Sequence, residues 1–147
     1  MILLPLLLLA APVQETGIMG FVYQATYRPP RTRAEAEKIM LNHEMKEVRD
    51  GVFIIDVFTT DGGITRAEFH EPQNTWSQAM LLLTFSNECE PRDSVLSTVP
   101  KYRRVGKEWL GEAEWGRFAY TFDDTPKHCL ATFRMYVNPA TQPSETN

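Results

Sequence analysis

Asp56, Glu68 and His70 are the residues of this chain whose types and spacing come nearest to a catalytic set. They fall on two β-rich segments, 52–60 and 64–70, joined by Asp61-Gly62-Gly63, a strong hairpin signal. With those three residues as the loop, Val57 faces Ala67 and Ile55 faces Phe69 on an apolar side. The other side then sets Phe58 against Arg66, Asp56 against Glu68 and Ile54 against His70. Two carboxylates directly opposite one another repel, so such a register needs a reason. A functional reason is that Asp56, Glu68 and His70 share a proton, bind a cation or grip a basic partner. The bland reason is a solvated sheet face, relief by Arg66 or water, or a shifted register.

A second constellation is Lys101-Tyr102-Arg103-Arg104-Val105-Gly106-Lys107, a basic cluster of four cations around one tyrosine. Lys101, Tyr102, Arg103, Arg104 and Lys107 form a candidate site for a phosphate, an anionic polymer or an acidic protein. The alternative is a solvated loop balancing an acidic neighbour, since no Gly-rich phosphate cradle accompanies it. The cluster lies in a polar connection over 88–107, and loops longer than about 12 residues in compact domains are often functional.

The third chemistry is that of sulfur. Cys89 and Cys129 are the two cysteines; the spacing contains no C-x-x-C and no second Cys/His pair, so zinc is not expected. In an exported chain an even count reads as one disulfide. Closing a loop of about 40 residues is worth roughly 4 kcal/mol in the chain-entropy treatment. The rival reading, Cys129 as a nucleophile activated by His128, fails on a strand, where adjacent residues point to opposite faces. His43 reads as a packed or rim histidine, with no acid or metal partner placed near it by sequence.

Export itself rests on the first eleven residues, an uncharged apolar run ending in Ala10-Ala11. It is about half the roughly 20 residues needed to span a bilayer and matches the apolar core and cleavage zone of a secretory signal. No Lys or Arg precedes it, and a cut after either alanine leaves leucine at position −3, so the cleavage site stays open. The expected division is a signal over 1–11, one domain over 17–138 and a disordered tail over 139–147. A secreted or periplasmic location follows from it. A hydrophobic content of 43% and an aromatic content of 11% suffice for a core. The net charge of −4 argues against nucleic acid, which requires a basic surface. No membrane span is expected after the leader.

These groups need elements to position them. Residues 18–27 alternate, with Met19, Phe21, Tyr23, Ala25 and Tyr27 on one face, predicting a strand that ends at Pro29-Pro30. Thr32-x-x-Glu35 matches a capping box and predicts a helix over 33–49, closed by Asp50-Gly51. Residues 74–87 fit either period and read as a strand, with Met80-Leu81-Leu82-Leu83 central and covered on both faces. Residues 109–122 and 128–137 predict a final hairpin, with Trp109 and Trp115 on the face opposite Phe118, Tyr120 and Phe122. Gly111 and Gly116 mark bends or bulges.

The resulting order, β-α-β-β-β-β-β, is an α+β domain in which a curved antiparallel sheet of five to six strands packs on one long N-terminal helix. It resembles cystatin-like folds in architecture only. The chain lacks their Gln-x-Val-x-Gly hairpin, so inhibition of cysteine proteases is not implied. There is no internal repeat, phosphate loop, G-x-S-x-G or H-E-x-x-H, and no cofactor or metal is expected. The preferred function is an exported binding or inhibitory module for a protein or envelope component. The alternative is a small hydrolase or cation-dependent enzyme using Asp56, Glu68 and His70.

Overall fold

Three helices and a large antiparallel sheet share one apolar core. The structure is a computed structural model describing residues 17–59 and 62–140. The leader 1–11 and residues 141–147 of the expected tail lie outside the described residues, as do Thr60 and Asp61 of the first hairpin. The elements are α1 (Ile18–Tyr27), α2 (Arg33–Ile39), β1 (Lys46–Arg49), β2 (Val52–Phe58), β3 (Ile64–His70) and β4 (Ala79–Ser86). There follow α3 (Arg92–Leu96), β5 (Arg103–Val105), β6 (Glu108–Ala113), β7 (Gly116–Phe122) and β8 (Leu130–Val137). Among the described residues the eight strands form one antiparallel sheet in the order β1-β2-β3-β4-β8-β7-β6-β5.

The fold is thus α+β, but the expected order of elements does not hold. Residues 18–27 form a helix, not a strand. Ile18, Phe21, Val22 and Ala25, at helical spacing, are buried, while Tyr23 and Tyr27 are 51% and 77% exposed. An alternating pattern in which Phe21 and Ala25 serve both periods does not separate the two, and packing against the sheet selects the helical stripe. The second helix is short. Thr32 caps it, its hydroxyl accepting from the Glu35 amide at 3.2 Å, and the Glu35 carboxylate accepts from the Arg31 amide at 2.7 Å.

That helix stops at Ile39 because Leu41 and Asn42 adopt φ of 60° and 62°, a conformation that breaks helical propagation. Residues 46–49 then form an edge strand instead of the helix's last turns, and Asp50-Gly51 is a hairpin turn with Gly51 at φ 76°. The long N-terminal helix, the strand count and the likeness to cystatin architecture therefore do not hold.

The hairpin of β2 and β3 also has its own register. Phe58 pairs with Ile64, and the intervening loop is closed by the Thr59 amide donating to Gly63 O at 2.9 Å. Its hydroxyl accepts from the Gly63 amide at the same distance. The pairing is displaced by two residues from the expected one, so every side chain keeps its face and changes its partner. Asp56 faces Arg66 rather than Glu68.

Strand β4 lies centrally between β3 and β8 as expected. Ala79, Leu81, Leu83 and Phe85 are buried, and Met80 and Leu82 are half-buried on the other side. The connection 88–107 contains α3 and β5, and 109–122 is two strands turning at Glu114-Trp115. Trp109 consequently pairs with Tyr120 and shares its face with Phe118, Tyr120 and Phe122, not the opposite one. Gly111, across from Phe118, leaves the space that the Phe118 ring fills, 2.2 Å from where a Cβ would stand.

The core lies on one face of the sheet. Phe21, Val22, Ala36 and Met40 of the helical segment pack in one cluster with Phe69, Leu81, Leu83, Phe133 and Met135. The disulfide between Cys89 and Cys129 ties the exit of β4 to the entry of its neighbour β8, beside a bridge from Pro91 to Cys129. The Asp123 carboxylate accepts from the Cys129 amide at 2.8 Å and from the Thr125 hydroxyl at 2.6 Å. The Thr125 hydrogen bond holds that carboxyl below its ordinary pKa.

Candidate functional site

The face of the sheet opposite the core carries the residues of chemical interest. Alternation places Asp56, Arg66, Glu68 and His70 there, with Arg134, Tyr136, Arg117, Glu112 and Arg103 further along. α1 and α2 direct their buried residues to the core cluster and leave this face open.

The first candidate set divides in two. Arg66 donates from Nε and Nη2 to the two Asp56 carboxylate oxygens at 2.7 and 2.9 Å, a bidentate cross-strand pair. The hydrogen bonds from Arg66 hold the Asp56 carboxyl below its ordinary pKa. Glu68 and His70 meet on β3, with Oε2 and Nε2 2.5 Å apart. His70 faces Val52 across the hairpin, four residues from Asp56. At about 3.3 Å per residue that is roughly 13 Å along the strand, so Asp56 and His70 do not converge. His70 instead borders a polar hollow with Asp50, Glu71 and Gln78.

The basic cluster divides as well. On β5, Arg103 pairs across to Leu110 and points to the open face, whereas Arg104 pairs with Trp109 and points to the other. Arg104 Nε donates to Gly106 O at 3.0 Å, and its guanidinium lies 5.2 Å over the Trp109 ring. Arg92 lies over the same ring at 5.9 Å. Lys107 lies in the exposed turn between β5 and β6. Tyr102 meets Trp109 edge to face with centroids 5.6 Å apart.

Lys101, Tyr102 and Arg103 remain, and they border a hollow of about 580 Å³ over β5 to β8. Its floor follows from the registers. Arg134 pairs with Ala119, Ala119 with Leu110 and Leu110 with Arg103, so one cross-strand row carries a buried alanine and a leucine between two arginines. The next row brings Tyr136, Arg117 and Glu112 together. The guanidinium groups of Arg117 and Arg134 lie 4.7 and 5.5 Å from the Tyr136 ring centroid, within cation–π range. Arg134 Nη2 donates to Glu108 Oε2 at 2.7 Å, and Nε is buried with no partner among the described residues.

Four cations therefore surround the hollow against two carboxylates, Glu108 and Glu112, a local excess of positive charge on a chain of net charge −4. Among the described residues no group forms an ion pair or hydrogen bond with the side chains of Lys101 or Arg103. Histidine, cysteine and serine do not line this hollow. Its groups can bind, orient and neutralise an anion. Among the described residues no cluster of three or more His, Cys, Asp or Glu could hold a metal ion, and no helix is long and apolar enough to cross a membrane.

Arg117, Arg134, Tyr136, Glu108 and Leu110 are site residues that the sequence reading does not single out. The available signal is the alternation of 130–137, which sets Thr132, Arg134 and Tyr136 opposite Phe133 and Met135. That signal places them on a common face and says nothing of their neighbours on β7 and β6. No protein-family model matches the chain, and neither a curated protein nor a solved structure shows significant similarity to it.

Proposed function

We propose that the protein is a binding module whose recognition site is the cationic hollow on the open sheet face, and that it recognises an anionic group of a protein or envelope component. The observation that carries this reading is the convergence of Lys101 and Arg103, whose charges have no internal partner, with Arg117 and Arg134 around one concavity. Cations retained without partners beside an apolar floor favour an external anion. The disulfide is compatible with an oxidising compartment, in keeping with action outside the cytoplasm.

Immobilised poly-L-glutamate tests the reading. The full chain is retained at low salt, and the Arg103→Glu/Arg117→Glu variant is not, while Asp56→Asn/Glu68→Gln is retained like the parent. Retention that survives the double arginine reversal overturns the assignment of the site. An enzymatic reading through Glu68 and His70 has one observation in its favour, their 2.5 Å contact beside a second hollow. Its discriminating variant is His70→Ala, which leaves anion retention unchanged.

A further inference from the structure

We infer that β5 takes an acidic, extended segment of a partner protein as an added edge strand, whose alternate carboxylates face the cationic hollow. The inference rests on the binding reading above and narrows its partner to a peptide chain. Three features support it: the backbone that β5 leaves open, the charge along that strand, and the contrast with the other edge of the sheet.

The direction of the backbone follows from the turn. Val105 pairs with Glu108 around the two-residue loop Gly106-Lys107, and Gly106 stands at φ 63°, as a type II′ hairpin turn requires. The pair that flanks such a loop is hydrogen-bonded, and bonded pairs alternate with non-bonded ones along an antiparallel ladder. Val105 and Arg103 therefore bond to β6, while the N–H and C=O of Arg104 point away from it. β5 is the terminal strand of the sheet, and residues 101–107 are all exposed. Among the described residues no backbone group pairs with that outer edge. One residue of an added strand, opposite Arg104, satisfies both of its groups.

The charge selects which strand is added. From 94 to 107 the chain holds four cations and no Asp or Glu. The Arg104 side chain is occupied by Gly106 O and the Trp109 ring, whereas Lys101 and Arg103 border the hollow. In an added strand the residues on either side of the one opposite Arg104 face the hollow. Carboxylates at positions i and i+2 of the partner thus lie beside Arg103 and over the hollow. Opposite charges on paired strands attract and like charges repel, so β5 of a second copy, carrying the same cations, is disfavoured. A polyanion without amides leaves the Arg104 backbone groups unpaired.

The other edge differs on both counts. β1 pairs with β2 through a register shift between Glu47 and Arg49, and it carries both signs of charge in Lys46, Glu47 and Arg49. A bulge and mixed charges are the devices by which edge strands resist pairing. The β5–β6 register runs without a shift, and β5 carries one sign.

The test is fluorescence anisotropy of the labelled peptide Thr-Glu-Val-Glu-Thr, blocked at both ends, with the full chain at low salt. Two further forms carry N-methyl groups, either on both Glu amides or on the Val and Thr amides. Methylation at Glu is expected to be tolerated, because those N–H groups point away from β5. Methylation at Val and Thr removes the donors to β5 and weakens binding by about ten-fold or more. In the chain, Arg103→Glu weakens binding by about ten-fold or more and Arg104→Ala leaves it unchanged. Arg104→Pro, which lacks the outward N–H and suits an edge strand, weakens it by about five-fold or more. Circular dichroism of each variant confirms that the sheet is retained. Equal affinities of the two methylated forms, with the loss in Arg103→Glu, overturn strand addition and leave the anion-binding reading standing. So does retention on poly-L-glutamate with no binding of the peptide, whereas failure of both overturns both. Peptide binding that ignores Arg103→Glu places the segment elsewhere and overturns the inference. A dimer in sedimentation that Arg104→Pro dissociates makes a second copy the occupant and overturns it as well.

Discussion

Arg103 and Arg104 are neighbours in the chain and serve opposite faces of the same strand. Arg103 opens on the cationic hollow, and Arg104 lies 5.2 Å over the Trp109 ring on the other side. The alternation of β5 therefore turns one basic cluster into two devices, one facing solvent and one bracing the sheet edge.

Charge reversal should separate them. Arg103→Glu lowers affinity for an anionic ligand by about ten-fold or more, the scale of a lost charge-assisted hydrogen bond, and leaves the unfolding midpoint close to that of the parent. Arg104→Glu removes a cation–π contact worth about 0.5–1 kcal/mol at an exposed site, lowering the midpoint with little effect on affinity. Calorimetric titration and urea unfolding of the two variants read both quantities, and equal effects of the two on affinity would refute the division.

The Asp56–Arg66 pair has a defined pH signature. Its hydrogen bonds depress the folded pKa of Asp56 below the ordinary 3.8, so the unfolded state takes up the proton first as pH falls. The stabilisation is complete well above 3.8 and is lost as pH drops through the folded value. Both side chains are well exposed, which keeps the effect small. Asp56→Asn is thus slightly less stable than the parent at neutral pH and converges with it in acid. Urea midpoints from pH 2 to 7 check this; a difference that persists or grows in acid contradicts it.

The disulfide spans 40 positions and joins the ends of β4 and β8. Its removal in Cys89→Ala/Cys129→Ala should cost about 4 kcal/mol by the loop-closure relation. The same loss should appear when the parent is unfolded under reducing conditions. If the midpoints with and without reductant coincide, the bond contributes little to the native state.

Thr65 is fully buried in the core face of β3, and its hydroxyl has no hydrogen-bond partner among the described residues. Valine has nearly the same shape and no polar atom to desolvate, and its β-branch suits a strand. Thr65→Val should therefore stabilise the domain by about 1 kcal/mol, the low end of the cost of an unsatisfied buried polar group. A destabilised variant in thermal or urea unfolding would show that the hydroxyl is satisfied in solution.

How far the chain could be read from its residues differs from element to element. Thr32 with Glu35 marks the start of α2 because capping is local chemistry, and Ala79 to Phe85 marks β4 because alternation over a long run leaves a buried face. Cys89 and Cys129 announce their bond by count and context. The end of α2 carries no such mark, since Leu41 and Asn42 reach positive φ without a glycine between them. Likewise, Phe21 and Ala25 satisfy both the helical and the extended period, and only contact with the sheet separates the two.

The sequence by itself determined the α+β class, the apolar faces of the long strands, the cysteine pair and the presence of cations at Lys101 to Lys107. These are properties of single residues or of spacings within one element. Only the tertiary structure decided which of those cations act together. Arg103 borders one hollow with Arg117, Arg134 and Tyr136 because β8 inserts between β4 and β7, and because the registers of three separate strand pairs place them around one floor. Strand pairing over such separations depends on the closure of long loops and on burial of the whole opposite face. Neither is encoded in any local window of the chain.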